Sequence, residues 1–96
     1  MSRDAVPTIR YVVRFVGRVQ GVGFRMTSVE QARGLEIRGS VRNEPDGSVR
    51  MDIEGSRASL DELLRRMKSV MDRYIEAVHV DQRPASGRED PFHVTG

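Results

Sequence analysis

The chain contains no cysteine and no tryptophan, and only five aromatic residues, two Tyr and three Phe. Without cysteine there is no disulfide framework, no thiol nucleophile and no thiolate metal site. So few aromatic rings leave little to stack on nucleic-acid bases, and Tyr11 and Phe15 are wanted by a core, so a nucleic-acid partner is not expected. No apolar run approaches the ~20 residues that a bilayer span needs, and the start, "MSRDAVPT", lacks the apolar stretch of a signal peptide. These absences point to a cytoplasmic protein with no membrane partner. Lysine is nearly absent too. Of 16 basic residues only Lys68 is lysine and the rest are arginine, the residue suited to bidentate capture of phosphate or carboxylate. Basic and acidic residues are interspersed and nearly balanced, with a net charge of +2, so no broad polyanion-binding surface is implied. No His, Asp and Glu group has metal-ligand spacing, and no cofactor is expected.

What is present is a clear periodic pattern over 96 residues, the size of one domain. Residues 1–7 read as a loose terminus and 8–96 as the domain. Ile9, Tyr11, Val13 and Phe15 alternate with Arg10, Val12, Arg14 and Val16, which predicts a strand. Val22, Met26, Val29 and Ala32 then recur at helical spacing, predicting a helix that ends near Arg33 to Glu36. A second strand is expected over Ile37 to Asn43 and a third from Val49, joined through the turn chemistry of Pro45, Asp46 and Gly47. Either Ser56 or Ser59 can cap a second helix, whose apolar stripe is Leu60, Leu63, Leu64, Met67, Val70 and Met71. A fourth strand around Ala77 to Arg83 follows. Phe92 and Val94 suggest a short last one, in a C-terminal ending "FHVTG" expected to bear on stability alone. The order β-α-β-β-α-β predicts an α+β, ferredoxin-like sandwich, an antiparallel sheet with two helices on one face. Many unrelated activities use that architecture, so it names none.

The chemistry concentrates in "GRVQGVGFR", residues 17–25, between the first strand and the first helix. Glycines at such a junction let several backbone N–H groups point inward, and the helix adds its unpaired N–H groups and positive dipole end. Arg25, in the first turn, is able to reach back over the loop and grip two oxygens of a dianion. The Walker A pattern is missing, and the dinucleotide fingerprint fails because its last glycine would fall on Met26. Asn43, at the end of the second strand, reads by itself as a turn-capping residue. Beside the Arg25 loop it becomes a candidate for the same rim.

Two stretches, "GRVQGVGFR" and "GSVRNEPDGSV", resemble the paired signature motifs of the acylphosphatase family. The matches are Val19, Gln20, Gly21, Val22, Phe24 and Arg25 in the first. In the second they are Gly39, Val41, Asn43, Gly47 and Val49, with Gly55 beyond. Ser40 replaces an aromatic residue usual in the family. Glu36 replaces a helix-ending glycine, with Gly34 two residues earlier. The resemblance implies metal-free hydrolysis of carboxyl-phosphate anhydrides by a monomeric enzyme. It implies that Gly17, Arg18, Val19, Gln20, Gly21, Val22 and Arg25 bind the substrate phosphate, and that Arg25 and Asn43 are catalytic, Asn43 holding the attacking water. The alternative is a non-catalytic module that binds phosphate or an acyl phosphate.

Overall fold

The computed structural model describes residues 7–96. The expected loose stretch over 1–7 therefore lies outside the described residues, apart from the exposed Pro7. Strand β1 spans Ile9–Gly17, and its alternation holds: Tyr11, Val13 and Phe15 are buried. Helix α1 spans Phe24–Gln31, strand β2 Ile37–Asn43 and strand β3 Val49–Gly55. Helix α2 spans Arg57–Val70, and a single 3₁₀ turn over Asp72–Tyr74 leads into strand β4, Ile75–Arg83. Strand β5 is only His93–Val94.

The sheet order is β4-β1-β3-β2-β5. The first four strands pair antiparallel, whereas β5 lies parallel to β2. The expected antiparallel sheet holds for β1 to β4, and β5 makes the five-stranded sheet a mixed one. The cause is the segment after β4, which crosses from one edge of the sheet to the other before pairing. Glu54 on β3 holds that crossing segment. Its carboxylate is 2% exposed and accepts from the amide of Ser86 at 3.0 Å, the amide of Gly87 at 3.2 Å and the Ser86 hydroxyl. Burial pushes the Glu54 carboxyl up, and the bonds from Ser86 and Gly87 outweigh it, leaving its pKa below the ordinary value.

The core lies between the sheet and the helices. Helix α2 packs Leu60, Leu63, Leu64 and Met67 against it. Its N-cap is Ser56, whose Oγ accepts from the Ser59 amide at 3.2 Å, so the helix starts at the earlier of the two expected caps. Such a cap stabilises by about 1 kcal/mol. Each buried leucine contributes roughly 1.5–3 kcal/mol, so packing rather than capping holds α2 in place.

Helix α1 differs from its sequence reading. It begins at Phe24, with Gly23 as a left-handed N-cap at φ 77°, so Val22 lies outside it. The buried face is Phe24, Ser28 and Ala32, while Met26 is 62% exposed. Phe24 wins the inward position because its ring packs on Phe15, centroids 4.8 Å apart, a pairing that adds to its burial. The buried Ser28 is tolerated because its hydroxyl donates to the Arg25 carbonyl at 2.6 Å. Gly34, at φ 82°, ends the turn after the helix, as its position ahead of Glu36 suggested.

Gly39 has a strict packing reason. It sits at φ 137°, and a Cβ there would lie 1.9 Å from the main-chain oxygen of Asp52. Gly39→Ala is expected to cost roughly 1–3 kcal/mol, because backbone on β3 cannot yield as a flexible side chain would. A denaturant midpoint unchanged from the parent's, at equal m-value, would refute this.

Candidate active site

Strands β1 and β2 both run antiparallel to β3, so they are parallel to each other. Their C-terminal ends therefore share one rim of the sheet. The loop that follows β1 and the last residue of β2, Asn43, meet there without being close in sequence. A cavity of about 160 Å³ lies between them, and Val19, Gly21, Gly23, Arg25, Met26 and Asn43 are among the residues that line it.

The loop is shaped by Gly21 and Gly23, both at φ 77°. A Cβ at either position would meet nothing within 4 Å, so glycine is needed there for the left-handed backbone and not for space. A buried Val19 anchors the loop to the core. Gln20 ties it to the β2–β3 turn: its Nε2 donates to the carbonyls of Glu44 at 2.8 Å and Ser48 at 2.9 Å. The Gln20 side chain is thus occupied in holding the loop, and only its backbone N–H faces the question of ligand binding.

Gly17 and Arg18 serve the sheet end. The Arg18 amide donates to the Tyr74 carbonyl at 3.0 Å. A Cβ on Gly17 would lie 2.3 Å from that same carbonyl oxygen, so glycine permits the close approach of β4. Neither residue lines the cavity, and neither do Gln20 and Val22.

The electrostatics of α1 are unusual at its start. Gly23 provides no side-chain cap, and no acidic residue stands in the first turn. The first amides of a helix have no intrahelical partner and carry partial positive charge. An arginine in that turn adds charge of the wrong sign for the dipole, a cost of about 0.3–1 kcal/mol when exposed. Arg25 is half-buried there. An anion seated at this point would satisfy the amides and offset the repulsion together.

Arg25 and Asn43 converge on a third element that sequence reasoning missed. The main-chain oxygen of Gly96 accepts from Arg25 Nη1, and also from the Asn43 amide at 3.0 Å. The Thr95 amide donates to the Val41 carbonyl at 2.9 Å, which continues the pairing begun by β5. The ending "FHVTG" therefore touches both candidate residues and forms one wall of the site, contrary to the expectation that it bears on stability alone. No periodic signal of two strand residues was strong enough to reveal this. The Asn43 side-chain amide makes no hydrogen bond among the described residues, while its backbone N–H is held. No group of three or more His, Cys, Asp and Glu able to hold a metal ion occurs among the described residues. Nor is any helix among them long and apolar enough to cross a membrane.

Comparison with known proteins matches the acylphosphatase family model over residues 11–94. An acylphosphatase from Salinibacter ruber is 41% identical over 86 residues, covering 88% of this chain and 90% of the relative. One from Rubrobacter xylanophilus is 42% identical, covering 95% of this chain and 84% of its own. The crystal structure of acylphosphatase from Bacillus subtilis superposes with a TM-score of 0.81 at 25% identity, over 92% of this chain and 99% of that one.

Proposed function

Since the chain belongs to the acylphosphatase family and is an enzyme that hydrolyses acyl phosphates, we propose that Arg25 and the loop amides bind the phosphoryl group while Asn43 holds the attacking water. The observation that carries this reading is the meeting of Arg25, an uncapped helix N-terminus and Asn43 around one cavity of about 160 Å³.

The chemistry needs little more. Phosphoryl transfer depends on positioning and charge stabilisation rather than on a covalent protein partner. The Arg25 guanidinium spans two non-bridging oxygens of the substrate, and the amides at the start of α1 take the remaining negative charge. To do this Arg25 leaves the Gly96 oxygen on which it rests. The Asn43 side chain accepts one hydrogen from a water and donates to no other group among the described residues, so it aims the water oxygen at phosphorus. That oxygen forms the new bond to phosphorus, and the bond from phosphorus to the bridging oxygen breaks. The acyl group departs as a carboxylate. A non-bridging phosphoryl oxygen takes one water proton, so the dianion and water become a carboxylate and dihydrogen phosphate. The carboxylate is a good leaving group, and no protein acid is required for it. Met26 and Val94, which line the cavity, give the acyl substituent an apolar surface.

Among the seven residues expected to bind phosphate, the reading centres on Val19, Gly21 and Arg25. Gly17, Arg18, Gln20 and Val22 act by shaping the loop. Residues 8–96 work as one catalytic domain, as a monomer in the cytoplasm, with a small acyl phosphate as substrate. The cysteine-free composition and the closing of the site by elements of a single chain support that picture.

The test is release of inorganic phosphate from benzoyl phosphate by the full chain, with and without a chelator. The expected result is turnover at the same rate in both. Binding of benzoyl phosphate without turnover would favour a non-catalytic module, and loss of rate with the chelator would overturn the metal-free route.

A further inference from the structure

The face of the sheet away from the helices carries a row of three arginines and a histidine that the active site does not use. In the strand register, Arg14 on β1 lies opposite His79 on β4 and also opposite Arg50 on β3. Arg50 in turn lies opposite Arg42 on β2. Four basic side chains thus stand side by side across four neighbouring strands, spaced by roughly 4.8 Å from one strand to the next. Like charges directly opposite in a sheet are destabilising, and here the arrangement occurs twice among arginines.

Local carboxylates offset it at Arg42 and Arg14 but not at its centre. Arg42 pairs with Glu44 at 2.7 Å, and Arg14 reaches Asp46 only at 3.9 Å. Arg50, at the centre, has no carboxylate at ion-pair distance among the described residues. It is half-buried, and it lines two adjoining depressions. One, of about 360 Å³, is lined by Arg14, Arg50, His79 and Arg83 and also by the carboxylate residues Glu44 and Asp81. The other, of about 170 Å³, is bounded by Ser40, Arg42, Arg50 and Asp52. The crossing segment held by Glu54 covers the opposite end of this face, where Glu54 lies across from Arg10 and Arg38. It leaves the Arg14–Arg50 row open.

We propose that this row is a second anion site, and that it binds a short polyphosphate laid across the strands. The ligand class follows from the shape of the charge. A monovalent anion would meet one guanidinium, whereas a linear polyphosphate meets several in succession. The row is one residue deep along the strands. Asp52 and Asp81 bound it on one side, Glu44 and Asp46 at the turn end, so a long polyanion running along the strands would meet carboxylates. The depressions contain no Phe, Tyr or Trp ring to stack a base, and the imidazole of His79 is the one flat ring in them, which disfavours single-stranded nucleic acid. The site is independent of the catalytic reading: Arg14, Arg50 and His79 project from the face opposite the buried core residues and line no part of the Arg25 cavity.

The experiment is titration of the full chain with tripolyphosphate, followed by NMR of the arginine Nε–Hε groups and the His79 ring, with the affinity measured by calorimetry. Perturbation of Arg14, Arg50 and His79 signals is expected. The double variant Arg14→Gln/Arg50→Gln should weaken tripolyphosphate binding at this site roughly tenfold or more, since it removes charge-assisted bonds. Its benzoyl phosphate hydrolysis should stay within about twofold of the parent, since neither residue touches the substrate. Without ligand the variant should be at least as stable as the parent, because a like-charge contact is gone. Perturbations confined to residues 19–25 would mean that the ion enters only the catalytic cradle, and would overturn the proposal. So would unchanged affinity in the double variant. Displacement of tripolyphosphate by a single-stranded oligonucleotide at lower concentration than tripolyphosphate itself would reassign the row to nucleic acid.

Discussion

Replacing Arg25 with alanine is expected to lower kcat/KM for an acyl phosphate by roughly 10²–10⁴-fold. The guanidinium makes two charge-assisted hydrogen bonds to the phosphoryl group in the proposed complex, each worth about 1.5–3 kcal/mol. Their joint loss of about 3–6 kcal/mol converts to that range at tenfold per ~1.4 kcal/mol. Both terms of the rate should suffer, because the same contacts hold the ground state and the more highly charged transition state. Arg25→Lys separates charge from geometry. A lysine restores the positive point charge but not the planar fork, so it should recover only part of the loss. Inhibition by inorganic phosphate should weaken in parallel. An Arg25→Ala enzyme within tenfold of the parent in kcat/KM would remove Arg25 from the phosphate site. Its contact with Gly96 would then be purely structural.

Asn43→Ala should act differently. The expected loss is about 10²–10³-fold in kcat, by analogy with removing one preorganised polar group that acts in the transition state. Affinity for inorganic phosphate should be nearly unchanged, since in the proposed complex the Asn43 side chain holds the water rather than the phosphate. The backbone N–H of residue 43, which donates to the Gly96 oxygen at 3.0 Å, survives the substitution. The C-terminal wall should therefore stay in place, and the effect be that of the side chain alone. A fall in phosphate affinity with kcat preserved would reassign Asn43 to substrate binding. A full rate in Asn43→Ala would discard the water-holding role. The contrast between the two variants, one losing binding and turnover and the other turnover alone, is what the proposed division of labour requires.

Much of the fold was legible in the one-dimensional pattern, for identifiable reasons. Strand β1 alternates because one face meets the helices, and α2 shows an apolar stripe because one long face is buried at Leu60, Leu63, Leu64 and Met67, although Val70, read as part of that stripe, is 50% exposed. Helix α1 was found but misphased. Its short span offered Met26 and Val29 as apolar residues of equal merit, and only the contact between Phe24 and Phe15 decides which side turns inward. Strand β5 was legible as a trace and its direction not at all. A two-residue strand holds no periodicity from which direction is read, and its parallel pairing with β2 depends on the path taken by residues 84–92.

The candidate site divides in the same way. Three glycines and an arginine at a strand-to-helix junction mark a place where the backbone is free to turn its amides inward, a freedom that local chemistry alone dictates. That Gly17 answers to the close approach of β4, and that Gln20 braces the loop against Glu44 and Ser48, depends on groups that chain distance hides. The order of strands and helices, a glycine-rich junction after β1 and an arginine at a helix start could all be read from the chain alone. Those properties rest on dihedral preference and residue periodicity, which act over a few neighbouring positions. The folded chain was needed to bring Asn43 and Gly96 to Arg25 and to set Arg14, Arg50 and Arg42 in one line. Both follow from strand direction and register, which are set by burying one shared apolar face and are invisible in any single segment.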